Sequence, residues 1–214
     1  MSFTYSSFIS YRRNNGDEKF VKNFTAIIES EAQKVTNIAK VFFDETSIKW
    51  GTDFDQKIYE GIAASYFFIP FYHNSYLHVN NIWCAREIHY AIEVEKKIRE
   101  IFKDYCFILP IIYRGLPNAL PSCIGKKNAK EIRQLEAVIT SNKISAGLIK
   151  FKQDIYDIFL ESFDLINNNE FVLSDLCASI VEPTDEEIRS WINEQKGIQR
   201  KFESENLPIL KKNA

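Results

Sequence analysis

Trp83 and Glu87 stand four residues apart in the run Trp83-Cys84-Ala85-Arg86-Glu87-Ile88. On a helix that spacing makes the indole and the carboxylate neighbours on one face. Cys84, Ile88, Ala91, Ile92 and Ile98 recur at helical spacing through the segment that ends near Phe102. The pattern predicts an amphipathic helix with one buried face, and Trp83 and Glu87 fall in its first turn. An indole beside a carboxylate where loop becomes helix suits a flat, cationic ligand, because the indole face attracts positive charge. The plainer alternative is a Trp that anchors the helix and a solvated Glu favoured by the helix dipole.

The elements that would position this pair lie upstream. Ser7-Phe8-Ile9-Ser10-Tyr11 reads as a strand, followed at once by Arg12-Arg13-Asn14-Asn15-Gly16. Asp17 is a suitable cap for a helix with Phe20, Val21, Phe24, Ile27 and Ile28 as its core stripe. Val41-Phe42-Phe43 is a second strand closed by Asp44, and the loop from Glu45 to Thr52 carries Ile48, Trp50 and Gly51. Asp53 then caps a helix with Phe54, Ile58 and Ile62, and Tyr66-Phe67-Phe68-Ile69-Pro70-Phe71 is a third strand. After the Trp83 helix, Cys106 to Ile112 is a fourth strand. Strands that alternate with helices and are themselves continuous apolar runs point to a parallel sheet covered on both faces. Functional groups in such folds gather beyond the carboxyl ends of the strands. Those ends lead into Tyr11–Gly16, Asp44–Thr52 and Tyr72–Trp83.

Beyond Arg114 the periodicity is weaker. Pro117, Pro121 and Gly125 mark a loop, Lys130 to Ile139 reads as a short helix, and Gly147 to Phe151 as a fifth strand. Ile155, Ile158, Phe159, Phe163 and Ile166 form a helical stripe that ends at Asn167-Asn168-Asn169. From Phe171 the composition changes. Thr184 with Glu187 three residues later is a capping box, opening a helix with Ile188, Trp191 and Ile192 on one face and Gly197 as its breaker. That short apolar face must pack on something, either its own domain or a sensor protein. The organisation expected is one domain over residues 1–170 and a short helical C-terminal extension over residues 171–214.

Composition excludes several classes. The 214 residues carry a net charge of -2, against the basic surplus of general nucleic-acid binders. The longest apolar run, Tyr105 to Tyr113, contains Pro110 and is too short to span a bilayer. Cys84, Cys106, Cys123 and Cys177 form no Cys-x-x-Cys pair, and His73, His78 and His89 complete no zinc pattern, so no metal is expected. Free thiols and the lack of a signal-like leader point to the cytoplasm.

Four segments, taken in order, resemble the Toll/interleukin-1 receptor (TIR) domain family, and its bacterial members in particular. They are Phe8-Ile9-Ser10-Tyr11-Arg12-Arg13; Val41-Phe42-Phe43-Asp44 with Gly51, Ile58 and Ile62-Ala63-Ala64-Ser65; Asn74-Ser75-Tyr76 through Trp83-Cys84-Ala85-Arg86-Glu87; and Leu109-Pro110-Ile111. The resemblance covers roughly residues 1–165. The connection from Ser75 to Trp83 departs from it in being longer and richer in Asn. The resemblance implies a flavodoxin-like parallel sheet with helices on both faces and, in the catalytic branch, cleavage of the nicotinamide–ribose bond of NAD+, with NAD+ as substrate and no cofactor. By motif position it implies Glu87 as the catalytic glutamate and Trp83 as the aromatic residue before it. Ser10, Tyr11, Arg12 and Arg13 match the segment that borders the nucleotide. Asp44 to Thr52, with Trp50 and Gly51, matches the loop that gates the pocket and contacts the next protomer.

Elementary chemistry is compatible with those roles. Ordinary glycosidases need two carboxylates, one of them to protonate the leaving oxygen. The leaving group of NAD+ is a pyridinium that departs as neutral nicotinamide, so one carboxylate facing the ribosyl cation can suffice. Arg12 or Arg13 suits the pyrophosphate, and Tyr11 or Trp83 a stacked ring. The absence of a Gly-x-Gly-x-x-Gly run fits NAD+ as substrate better than as a bound cofactor. The expectation is an oligomerisation-activated NAD+ hydrolase or cyclase in anti-phage defence, self-associating through TIR–TIR contacts. Its rivals are a non-enzymatic adaptor that binds other TIR domains through Asp44–Thr52, and a virulence mimic of host TIR signalling.

Overall fold

The computed structural model describes residues 3–12, 17–42, 54–80, 82–114, 120–167, 177, 179–195 and 197–198. Its centre is a parallel five-stranded sheet. β1 (Tyr5–Ser10) lies between β2 (Val41–Phe42) and β3 (Ser65–Tyr72), and β4 (Ile111–Ile112) and β6 (Lys130–Glu131) continue beyond β3. A separate antiparallel pair joins β5 (Leu120–Pro121) to β7 (Gly197–Ile198). The helices are α1 (Glu18–Ala32), α2 (Phe54–Ala63), α3 (Trp83–Ile101), α4 (Ser122–Gly125), α5 (Glu136–Thr140), α6 (Ala146–Asn167) and α7 (Asp185–Glu194), with a 3-10 turn at Arg133–Leu135.

Strand alternation sorts the core. Phe67 meets Phe159 of α6, and Phe71 meets Phe20 and Phe24 of α1, so these rings occupy one face of β3. Phe8, Phe42 and Phe68 stack in register across β1, β2 and β3 on the other face. There α2 closes on the sheet at Gly61, where an added Cβ would meet the Phe42 ring at 2.6 Å. Ser10 lies two residues beyond Phe8 and so keeps the same face. That geometry aims its hydroxyl at α3.

Several expectations are corrected. Gly147 to Phe151 is helix, not strand: Leu148, Phe151, Ile155, Phe159 and Ile166 are buried at helical spacing along α6. A short apolar run carries no period of its own, so its continuation decides. The fifth strand is Lys130–Glu131, at the start of the expected Lys130–Ile139 helix, and only the 3-10 turn and α5 of that stretch are helical. Two charged residues suit a short sheet edge. The fourth strand is shorter than Cys106–Ile112: Phe68 and Ile108 make a lone bridge, and the regular ladder starts at Ile111, after Pro110, which has no N–H to offer. Asp17 does not cap α1 with its side chain. It is fully buried and accepts from the Tyr113 hydroxyl at 2.9 Å and from the Arg114 guanidinium.

The tail docks on the sheet domain. Thr184 and Glu187 form the expected capping box at the start of α7. Ile188 is 0% exposed against Ile82 and Ala85, and Trp191 meets His89 edge-on at 5.3 Å. Gln195 Oε1 accepts from Ser122 Oγ and the Cys123 N–H. Gly197 enters β7 just beyond the end of α7.

Candidate functional site

The connection after β1 runs toward β2 and the connection after β3 runs toward β4, so a crevice opens where these two neighbours end. Ser10 closes β1 at this point. His73 to Tyr76 follow β3 on the other side.

Ser10 Oγ donates to Glu87 Oε2 and is also bonded to the Tyr76 hydroxyl. A serine has one proton to give, so with its O–H directed at Glu87 the Tyr76 hydroxyl is the donor to Ser10. Burial, then the nearby Cys84 and Glu87, push the Tyr76 hydroxyl well above the usual tyrosine range, which keeps its proton in place. Ser10 and Tyr76 are 1% and 0% exposed, whereas Glu87 is half-buried. A buried relay thus orients one oxygen of the half-buried Glu87 carboxylate.

The Ser75-Tyr76 segment is pinned from several sides. Arg12 Nη1 donates to the Ser75 carbonyl at 2.6 Å, the Ser75 N–H donates to His73 Nδ1 at 3.2 Å, and the Tyr76 N–H to the His73 carbonyl at 2.9 Å. Burial lowers the His73 pKa, the Arg12 and Arg114 charges lower it further, and Asp17 opposes them. A neutral imidazole is the form that can accept from Ser75.

One helical turn before Glu87, Trp83 is 41% exposed. The Arg86 guanidinium lies 5.8 Å from the centre of the indole and pairs with Asp185 of α7. Burial lowers the Arg86 pKa, but Asp185 and Tyr59 together outweigh it and leave the group raised. Trp83 and Arg86 line a cavity of about 660 Å3 together with Arg12, Asp55, Asp185 and Arg189. Glu87 is not among the residues that line this cavity; it follows Arg86 in α3 and is bonded into the Ser10–Tyr76 set.

Of the residues expected from the sequence, Ser10 and Glu87 are bonded to each other, and Arg12 and Trp83 line the cavity. Tyr11 is 8% exposed and packs into the core, so Trp83 is the exposed ring of the two. Arg13, Asp44, Trp50 and Gly51 lie outside the described residues. Sequence reading missed Tyr76, Asp55, Arg86, Asp185 and Arg189 as site residues. Arg86 was within the Trp83–Glu87 motif itself, and the four-residue spacing of Asp185 and Arg189 was visible, but nothing local told which helix α7 would meet. Among the described residues no group of three or more His, Cys, Asp and Glu is placed to hold a metal ion, and no helix is long and apolar enough to cross a membrane.

Residues 8–144 match the family model described as TIR domain. Two solved structures are similar in shape. The TIR domain of the Toll-related receptor TRR-2 from Hydra magnipapillata has a TM-score of 0.46 and 18% identity, over 70% of this chain and 99% of that one. The TIR domains of the activated Roq1 resistosome, which directly recognises the pathogen effector XopQ, have a TM-score of 0.38 and 18% identity, over 89% of this chain and 98% of that one. No curated protein matches the chain.

Proposed function

We propose that this chain, which belongs to the TIR domain family, breaks the nicotinamide–ribose bond of NAD+ as a member of the bacterial NAD-cleaving branch. The observation that carries the reading is the Glu87 carboxylate at the β1–β3 crevice, aimed by the buried Ser10–Tyr76 relay one turn from the exposed Trp83 ring. A scaffold has no use for an oriented carboxylate one helical turn from a partly exposed indole.

In the proposed reaction the C1′–N bond breaks and its electron pair leaves with the ring nitrogen, so nicotinamide departs neutral and needs no acid. Positive charge develops on the ribose. Glu87 faces that charge, and a fixed carboxylate stabilises the transition state because it needs no reorganisation when the charge appears. The donated Ser10 proton holds the carboxylate oxygen in place without neutralising it. Water then attacks C1′ and loses a proton, giving ADP-ribose; an adenine nitrogen of the same molecule in its place gives the cyclic product. We assign the chain to the cytoplasm, with assembly through TIR–TIR contacts as the switch and anti-phage defence as the setting.

The test is purified chain mixed with NAD+ over a concentration series, with and without a crowding agent, following free nicotinamide. Release should rise more steeply than linearly with protein concentration. No release from demonstrably assembled protein would refute the reading.

A further inference from the structure

We infer that α7 completes the ligand site: Arg189, together with Arg12, which lines the same cavity, takes the phosphate groups of a nucleotide whose ring stacks on Trp83. The identity of that nucleotide as NAD+ rests on the function proposed above, whereas the recognition chemistry does not.

α7 is seated firmly enough to form a wall. Ile188 is fully buried against Ile82 and Ala85 of the α3 start, and Trp191 packs on His89 one turn further along α3. Asp185 and Arg189 are four residues apart, so they share one face of α7, and both reach the cavity beside Trp83. The three guanidinium groups there are not equivalent. Arg86 is paired with Asp185. Arg12 and Arg189 are instead held by backbone carbonyls, Arg12 by Ser75 and Arg189 by Val79. A carbonyl orients a guanidinium without cancelling its charge. Each group has further N–H donors in a planar fork, the geometry that meets a phosphate two bonds at a time. The volume of about 660 Å3 falls within the range of small-molecule pockets, roughly 300–1,000 Å3. An exposed indole on the same wall offers a base a stacking face, and Glu87 begins the next turn of the same helix. Phosphates at the α7 side and a ribose toward Glu87 are the two ends of one ligand.

Calorimetric titration of the full chain with ADP-ribose, inorganic pyrophosphate and adenosine tests this, using Arg189→Gln and Arg189→Lys. Arg189→Gln should weaken ADP-ribose and pyrophosphate by about tenfold or more, the scale of one hydrogen bond between charged groups. Adenosine should bind as before, and Arg189→Lys should restore part of the loss because it keeps the charge but not the fork. Unchanged ADP-ribose affinity in Arg189→Gln would overturn the inference. So would an equal loss for adenosine, which would mark Arg189 as a structural anchor for Val79, or a wild-type chain that binds neither phosphate probe. Nicotinamide release with an unchanged KM in Arg189→Gln would leave the NAD+ reading standing without this site. Arg189-dependent pyrophosphate binding in a chain that releases no nicotinamide would do the reverse.

Discussion

Ser10→Ala removes the hub of the relay, and its effect can be worked out from the bonds it breaks. Hydrogen bonds to charged groups contribute about 1.5–3 kcal/mol. Glu87 is half-buried and regains water when released, which places this one near the lower end. The Tyr76 hydroxyl cannot do the same. Its side chain is 0% exposed, and an unsatisfied buried donor costs about 1–3 kcal/mol. Ser10→Ala should therefore destabilise the chain by about 3 kcal/mol, a fall in melting temperature of roughly 6–12 °C at this size. Tyr76→Phe removes one neutral bond and leaves Ser10 still donating to Glu87, so it should cost about 1 kcal/mol. In the double variant no buried donor is orphaned. It should be no less stable than Ser10→Ala alone, a coupling of about 1–2 kcal/mol between the two sites. Urea unfolding of the four proteins measures this directly. If the double variant shows the sum of the single losses, about 4 kcal/mol, then Ser10 and Tyr76 act independently and the relay is wrong.

Two further outcomes follow from other parts of the frame. His73 has a folded-state pKa below its ordinary 6.5 because of burial and the Arg12 and Arg114 charges, so its contribution to stability is complete above pH 6.5 and is lost as pH falls through the folded value. His73→Asn keeps an acceptor for the Ser75 N–H but does not titrate, so melting curves between pH 7 and 5 should show wild type losing ground to it; a constant difference would exclude His73 as the cause. Gly61→Ala would set a Cβ 2.6 Å from the Phe42 ring, which is packed on Phe8, so unfolding should show a loss of about 1–3 kcal/mol; a change below about 0.5 kcal/mol would mean that α2 can move off the sheet freely.

The parts of the fold that were legible in the sequence are those with a long, unmixed signal. β1, α1, β3 and α3 are apolar runs or sustained helical stripes, and each lies where its pattern puts it. The sheet edge was hidden because Lys130 and Glu131 carry no apolar signal, and because Gly147 to Phe151 is too short to show a period without the rest of α6. Asp17 looked like a cap, yet its carboxylate serves Tyr113 and Arg114, almost a hundred residues away in the chain. The same limit applies to the site. Trp83 and Glu87 are local to one helical turn, and strand order carries Ser10 to them. Tyr76 as a buried donor, and Arg189 as a wall of the cavity, depend on how a loop and a tail helix dock. Spacing within either segment does not encode that.

Glu87→Gln measured for nicotinamide release, alongside melting and self-association, tests the proposed function most directly. Gln keeps the size of the side chain and an oxygen to accept from Ser10, so the fold should hold to within about 1 kcal/mol. What it loses is the full negative charge that faces the ribosyl cation. Removing one preorganised electrostatic contact of this kind lowers the rate about a hundred- to a thousandfold, or roughly 3–4 kcal/mol. A loss of that size is expected in a variant that melts and assembles like the wild type. Near-wild-type nicotinamide release from a well-folded, assembled Glu87→Gln chain would contradict it.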